Sequence, residues 1–361
     1  MTDDIVLSKG LIKEFPASDF SLIIPGITQG APMKRILNGI SFELPKGMSL
    51  ALLGPNGSGK TTLLKTLSTI YAPDGGKAQV CGYDLVEEIK EVRKRISFVS
   101  PSMNFQKKLT LKQTLDFFVK VTNGDWALAK DFIEELHIDH LWDTRLETFS
   151  EGQKAITRLC VGLQKNPEVL FADEVTGALD FRRKQIVIEF LEKQAKERSL
   201  VLVDHDPEVV DVLCDKLLLL SRGGTVRAMV DVAQLHSEFD YAFDVMVIPK
   251  GHMTEKAAED LWPQFEMVGG MCRFFAKNRE EVLVIHERVV DWGKFIDIKT
   301  SGISIEDITL MWLAKHEKEA IQEQAQRKKE LAEKRAREEE KKEKRAERWE
   351  RWKEKMRHPF E

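Results

Sequence analysis

Between residue 5 and about residue 230, short runs of consecutive apolar residues alternate with segments whose apolar positions recur every three to four residues. The runs "MSLALLG" (48–54), "RISFVS" (95–100), "EVLFAD" (168–173), "LVLVD" (200–204) and "KLLLLS" (216–221) predict strands buried on both faces. The periodic segments near 60–70, 111–122, 127–136, 153–164, 182–196 and 207–213 predict amphipathic helices. Such alternation predicts an α/β fold. Residues 16–33 hold Pro16, Pro25 and Pro32 and little period, which predicts a surface loop or insertion.

The pattern changes after about residue 240. "FDVMVIP" (243–249), "CRFFAKN" (272–278), "EVLVIHE" (281–287) and "FIDIKTS" (295–301) predict four strands. Helices are predicted near 254–262 and 304–315, the second opened by Ser304 and Asp307 in S-x-x-D spacing. A small α+β domain over 240–315 follows from this pattern. From 316 to 361 the chain is almost entirely charged, with acidic residues four before basic ones at Glu330/Lys334, Glu333/Arg337, Glu340/Lys344 and Glu347/Arg351. Each such pair adds about 0.2–0.5 kcal/mol to a helix. A solvated helical tail is expected, with Trp349, Trp352 and Met356 on one face near its end.

Length and composition add limits. At 361 residues the chain has material for about two domains. A net charge of −4 gives no global field for nucleic acid. Cys81, Cys160, Cys214 and Cys272 are widely spaced with no C-x-x-C, which argues against a zinc site or disulfide framework and for free buried thiols. No signal-peptide pattern opens the chain. No window approaches the roughly 18 apolar residues of a membrane span, so action at a membrane requires another chain to supply one.

The candidate chemistry begins at "GPNGSGKTT", Gly54 to Thr62, which fits G-x-x-x-x-G-K-[ST] between a predicted strand and a predicted helix. In such a loop the backbone N–H groups of Gly54, Asn56, Gly57, Ser58, Gly59 and Thr62 wrap phosphates. Lys60 adds a full charge and Thr61 a hydroxyl for Mg²⁺. "VLFADE" delivers Asp173 to a strand tip, suited to support the metal, and Glu174 behind it as a general base. "LVLVDHD" repeats that geometry with His205, placed to contact a γ-phosphate and hold the attacking water. "FSEGQK" gives Ser150 and Gln153 the spacing of a capping box. Gly152 inside that first turn is poor for a helix and useful where a phosphate approaches the backbone.

The series GPNGSGKT, FSEGQ, LFADE, GALD (177–180) and DH resembles the nucleotide-binding subunit of ABC transporters over about residues 5–230. The resemblance implies a P-loop NTPase of the ABC ATPase type over residues 1–235, with a helical subdomain at about 101–165. It implies ATP and Mg²⁺, and two ATPase subunits, identical or different, sandwiching two ATP molecules head to tail. Ser150, Gly152 and Gln153 then face the ATP of the other subunit, Asp180 crosses the interface, and Phe15 in "LIKEF" stacks on adenine. Integral membrane permease subunits are the implied partners, placing the chain at the cytoplasmic face of the membrane. "KTLSTIYAPDGGKAQVCGYDL" with "VRKRISFVS" is most similar to exporters of the ABC-2 kind, which move drugs, lipids or polysaccharides. Two alternatives stay open: an ATP-driven conformational switch on a membrane partner with weak hydrolysis, and a non-transport ATPase acting on nucleic acid or ribosome, although no nucleic-acid partner is expected.

Four positions depart from the family pattern. Glu151 stands where glycine is usual, Val175 where proline is usual, and Asp204 where serine or threonine is usual. In "ISFVSPSMNFQ" (96–106), Pro101 occupies the position of a glutamine that serves the Mg²⁺ side of the site. Proline offers no ligand and no N–H. Gln106, Ser100, Ser102 or a water is left to take that place.

Overall fold

The computed structural model describes residues 4–16, 33–204, 206–239 and 241–303, with positions 305, 307–309, 311–313 and 315. Two compact units divide the chain, residues 1–306 and 307–361. Three sheets lie in the first.

The central sheet has six strands in the order Val226–Asp231, Lys216–Leu220, Leu50–Leu53, Ser199–Val203, Val169–Asp173 and Ile96–Val99. All but the first run parallel. The five parallel strands are the five consecutive apolar runs of the sequence, and they are almost wholly buried because helices and a second sheet cover both faces. Leu50 pairs with Val201 and Lys216, Asp173 with Val203, and Val99 with Ala172. This register brings residues 54, 100, 174 and 204 to one edge, where ligands of open parallel sheets bind.

The second sheet is antiparallel, in the order Met33–Pro45, Asp4–Pro16, Gly75–Val80 and Tyr83–Asp84. Ile40, Phe42 and Leu44 point inward on alternate positions of its longest hairpin. The helix Lys60–Leu67 contributes Leu63, Leu64 and Leu67, all fully buried, to one core shared by both sheets. That core anchors the helix whose N-terminus faces the site. Helices Leu111–Thr122, Trp126–Glu135 and Glu151–Leu163 are inserted between Ile96–Val99 and Val169–Asp173.

The third sheet, ordered Phe265–Val268, Met271–Ala276, Phe243–Pro249 and Phe295–Gly302, is antiparallel throughout. The helices Glu255–Leu261 and Arg279–Trp292 accompany it, and Val245, Val247, Cys272, Phe274, Ile285 and Val289 form its own core. One expected strand is corrected here: "EVLVIHE" (281–287) lies within the helix Arg279–Trp292. Asn278 caps that helix by accepting from the Glu281 N–H at 2.9 Å, while Glu281 Oε2 accepts from the Lys277 N–H, and Gly293 ends it in a left-handed conformation at φ 66°. Local capping outweighs the apolar run, two of whose members, Leu283 and Val284, stay exposed. The fourth strand is instead Phe265–Val268, too short and too mixed in polarity to show in the sequence.

The described positions between 305 and 315 are helical, as expected. The start signal at Ser304, the body of the insertion (17–32), His205 and the charged tail (316–361) lie outside the described residues. Among the described residues no helix is long and apolar enough to cross a membrane.

Candidate nucleotide-binding site

The loop Gly54–Gly59 joins the strand Leu50–Leu53 to the helix Lys60–Leu67. Gly54 sits at φ 141°, and a Cβ there would lie 2.4 Å from the Leu220 carbonyl oxygen. Only glycine allows the loop to leave the sheet at that point. Gly59 occupies the N-cap of the helix at φ 97°, with no side chain capping the first turn. The first N–H groups of the helix therefore stay available to an anion, with the positive end of the helix dipole behind them. Ser58 Oγ is buried with no hydrogen-bond partner, a cost that a polar ligand would remove. The Lys60 ammonium donates to the Gly54 carbonyl at 2.6 Å and reaches the Pro55 carbonyl at 3.4 Å. A cation is thus held within the loop itself.

The Thr61 hydroxyl donates to Asp173 Oδ1 at 3.2 Å. Asp173 is buried at the strand tip, and burial pushes its carboxyl above the usual range, partly countered by the Thr61 bond. Two hard oxygens meeting beside a phosphate cradle suit Mg²⁺, which takes one or two protein ligands and completes its shell with phosphates and water. Among the described residues no group of three or more His, Cys, Asp or Glu could hold a metal by itself. Thr61 and Asp173 are the residues that would hold the ion.

A cleft of about 330 Å³ opens over the loop, lined among others by Phe15, Lys34, Asn56, Lys60, Thr61 and Glu174. Phe15 is half-exposed at the cleft rather than part of the core, with Lys34 as its cross-strand partner. Its ring meets Tyr71 edge-on at 5.3 Å, and Lys13 Nζ lies 5.3 Å from its centroid. The sequence assigns Tyr71 no site role, and its place beside Phe15 is a product of the fold.

Ser150, Gln153 and Asp180 do not line this cleft. Ser150 caps the helix Glu151–Leu163 by accepting from the Gln153 N–H at 3.2 Å, and Gln153 Oε1 accepts from the Ser150 N–H at 2.9 Å. Gly152 is buried, and a Cβ there would meet the Ala178 carbonyl oxygen at 3.2 Å. Close packing on the 178–179 turn is therefore one reason for this glycine that the sequence did not show. Asp180 caps the helix Phe181–Ala195 through the Arg183 N–H, which holds its carboxyl below the usual range, and it pairs with the Arg183 guanidinium at 2.8 Å.

A second cleft of about 260 Å³ joins Ser100 and Pro101 to Glu151, Arg158 and Glu174. Arg158, nearly buried, donates to the Met103 carbonyl at 2.9 Å, and its Nη2 lies 3.8 Å from Glu151. This links the helix start to the loop after Pro101.

A family model described as ABC transporter matches residues 37–177. Nod factor export ATP-binding protein I of Burkholderia lata is 30% identical over 210 residues, covering 57% of this chain and 69% of that protein. The chain belongs to the ABC transporter ATP-binding family. The doxorubicin resistance ATP-binding protein DrrA of Mycobacterium tuberculosis is 31% identical to this ABC protein over 216 residues, 57% of the chain and 64% of the relative. The chain spans less than two thirds of DrrA and only 29% of a longer relative. Among solved structures, a dimeric ATP-binding cassette bound to ADP and Pi superposes with a TM-score of 0.55 at 19% identity, covering 63% of this chain and 98% of that one. That likeness shows the ABC cassette fold over that share of the chain.

Proposed function

We propose that this ABC protein is the ATP-hydrolysing energy subunit of a membrane exporter, pairing head to tail with a second ATPase subunit and driving separate permease subunits. The observation that carries the reading is the convergence of an uncapped helix start, Lys60, Thr61 and Glu174 on one cleft, with Asp173 bonded to Thr61.

The Gly54–Thr62 backbone and Lys60 bind the phosphates of ATP, and Phe15 stacks on its adenine. Mg²⁺, when bound, neutralises charge on the β- and γ-phosphates. Asp173 and Thr61 orient their oxygens for it. Glu174 takes a proton from the attacking water, and His205 contacts the γ-phosphate and holds that water. Ser150, Gly152 and Gln153, already ordered by the capping box, complete the site of the second subunit, and Asp180 crosses between the two. This arrangement lets nucleotide stabilise the closed pair, and hydrolysis release it.

A groove of about 360 Å³ between the inserted helices and the core is lined by Ile70, Phe98, Met103 and Phe118. Ile70 and, on the helix beside it, Phe117 and Val121 stand exposed. This apolar surface supports docking of a permease segment at the cytoplasmic face. The relatives named for Nod factor export and doxorubicin resistance support outward transport.

The test is steady-state ATP turnover in the presence of the co-purified membrane chains. Glu174→Gln is expected to lower it by about 10²–10⁴-fold, the usual range for loss of a general base. Turnover no faster in the parent than in the variant overturns the hydrolase and leaves an ATP-gated switch. Recovery of RNA or DNA with no membrane chain overturns the transport assignment.

A further inference from the structure

Glu174 lies in the left-handed region at φ 48°. Side chains adopt that conformation when the surrounding structure enforces it. The enforcing contacts are on the next strand. The Glu174 N–H donates to the Val203 carbonyl at 2.7 Å. Two residues on, the Thr176 hydroxyl donates to Asp204 Oδ2 at 2.7 Å, and Asp204 Oδ1 accepts the Asp206 N–H at 3.0 Å. Thr176 and Asp204 are only 2% and 5% exposed. The Leu179 N–H closes the turn on the Thr176 carbonyl at 2.9 Å. From the helix Phe181–Ala195, Lys184 pairs with Asp206 and lies 3.8 Å from Glu208.

The two strand ends are thus stapled in two places, the second held by Asp204, and the following helix adds a third tie through Lys184. The two oxygens of Asp204 accept two bonds at once, one from each strand end. A buried carboxylate is costly and persists where its bonds are made.

We propose that Asp204 and Thr176 are positioning residues that hold the Glu174 carboxylate where it meets the attacking water, an inference that rests on the hydrolytic reading above. Neither touches the substrate. Their bond fixes the turn from which Glu174 projects and the start of the segment leading to Asp180.

The test uses the full chain with its co-purified partner. Thr176→Val and Asp204→Ala are expected to lower kcat for ATP on the order of 10- to 100-fold, because a ~1 Å misplacement can cost ~10²-fold. KM and nucleotide affinity stay within about twofold. Thr176→Ser keeps the hydroxyl, and Asp204→Asn accepts the Asp206 N–H through its amide oxygen while its amide N–H donates to the Thr176 hydroxyl oxygen, so both restore turnover. The double variant Thr176→Val with Asp204→Ala is no slower than the slower single one, since Thr176→Val removes only a bond that Asp204→Ala already removes. Kinetic defects in which KM moves with kcat, or folded Ser and Asn variants as slow as Val and Ala, overturn the proposal. Thr176→Val as fast as a parent that itself outpaces Glu174→Gln sinks the positioning role alone. A parent no faster than Glu174→Gln sinks the hydrolytic reading and this role with it.

Discussion

Thr61 Oγ1 lies 3.2 Å from Asp173 Oδ1, across 112 residues of sequence. One group opens a helix and the other ends a strand. Their meeting follows from the sheet order, which sets Ser199–Val203 between the strands Leu50–Leu53 and Val169–Asp173 and lays the helix across the gap.

Asp173 provides a pH signature. Its folded carboxyl is raised by burial, so the ionised form is the costly one in the ligand-free protein. Its favourable contribution is present at acid pH and is lost as pH rises through the elevated value. Asp173→Asn is therefore expected to melt higher than the parent without nucleotide, with a gap that widens as pH rises above the ordinary carboxylate range. The same variant should lose the additional stabilisation that Mg²⁺ with ATP gives the parent. Thermal melts across pH, with and without ligand, check both.

Gly54 tolerates no side chain. Gly54→Ala places a Cβ 2.4 Å from the Leu220 carbonyl oxygen at φ 141°. A loss of roughly 1–3 kcal/mol is expected in denaturant unfolding, together with weaker nucleotide binding as the loop shifts.

The third sheet carries a buried ion pair that lines neither cleft of the candidate site. Arg273 donates to Asp244 Oδ2 through Nε at 2.9 Å and Nη2 at 2.6 Å, with the aspartate side chain 6% exposed. Arg273→Ala leaves that charge unpaired, and a cost of about 3–5 kcal/mol is expected. Nucleotide affinity should not change, which ligand titration of the folded variant will show.

The loop after Pro101 makes a further distinction. Gln106 is exposed, and among the described residues its carbonyl accepts from the Leu109 N–H. Ser100 is buried next to the Asp173 strand, and its hydroxyl lies 2.7 Å from that of Ser102. Both Ser100 and Pro101 line the cleft that reaches Glu174. Gln106→Ala is thus expected to leave turnover unchanged, while Ser100→Ala raises the Mg²⁺ concentration needed for half-maximal ATP binding by severalfold. Equilibrium nucleotide titrations at stepped Mg²⁺ decide between them.

Much of the cassette was legible because its signals are local. Five apolar runs became five parallel strands, since a strand covered on both faces needs no polar alternation. The loop Gly54–Gly59 was legible because its glycines answer to backbone geometry within a few residues. The run at 281–287 misled because four apolar residues in a row serve a strand or a helix equally, and the caps at Asn278 and Gly293 settled it.

The sequence by itself determined the family and the fold class, both written in spacings along the chain. Only the tertiary structure decided what lies between distant segments. It placed Tyr71 against Phe15, tied Arg158 to the Pro101 loop and set Thr176 on Asp204 beneath a left-handed Glu174. Those contacts depend on strand order and register, which join residues far apart in sequence, and no local pattern of apolar and polar positions encodes them.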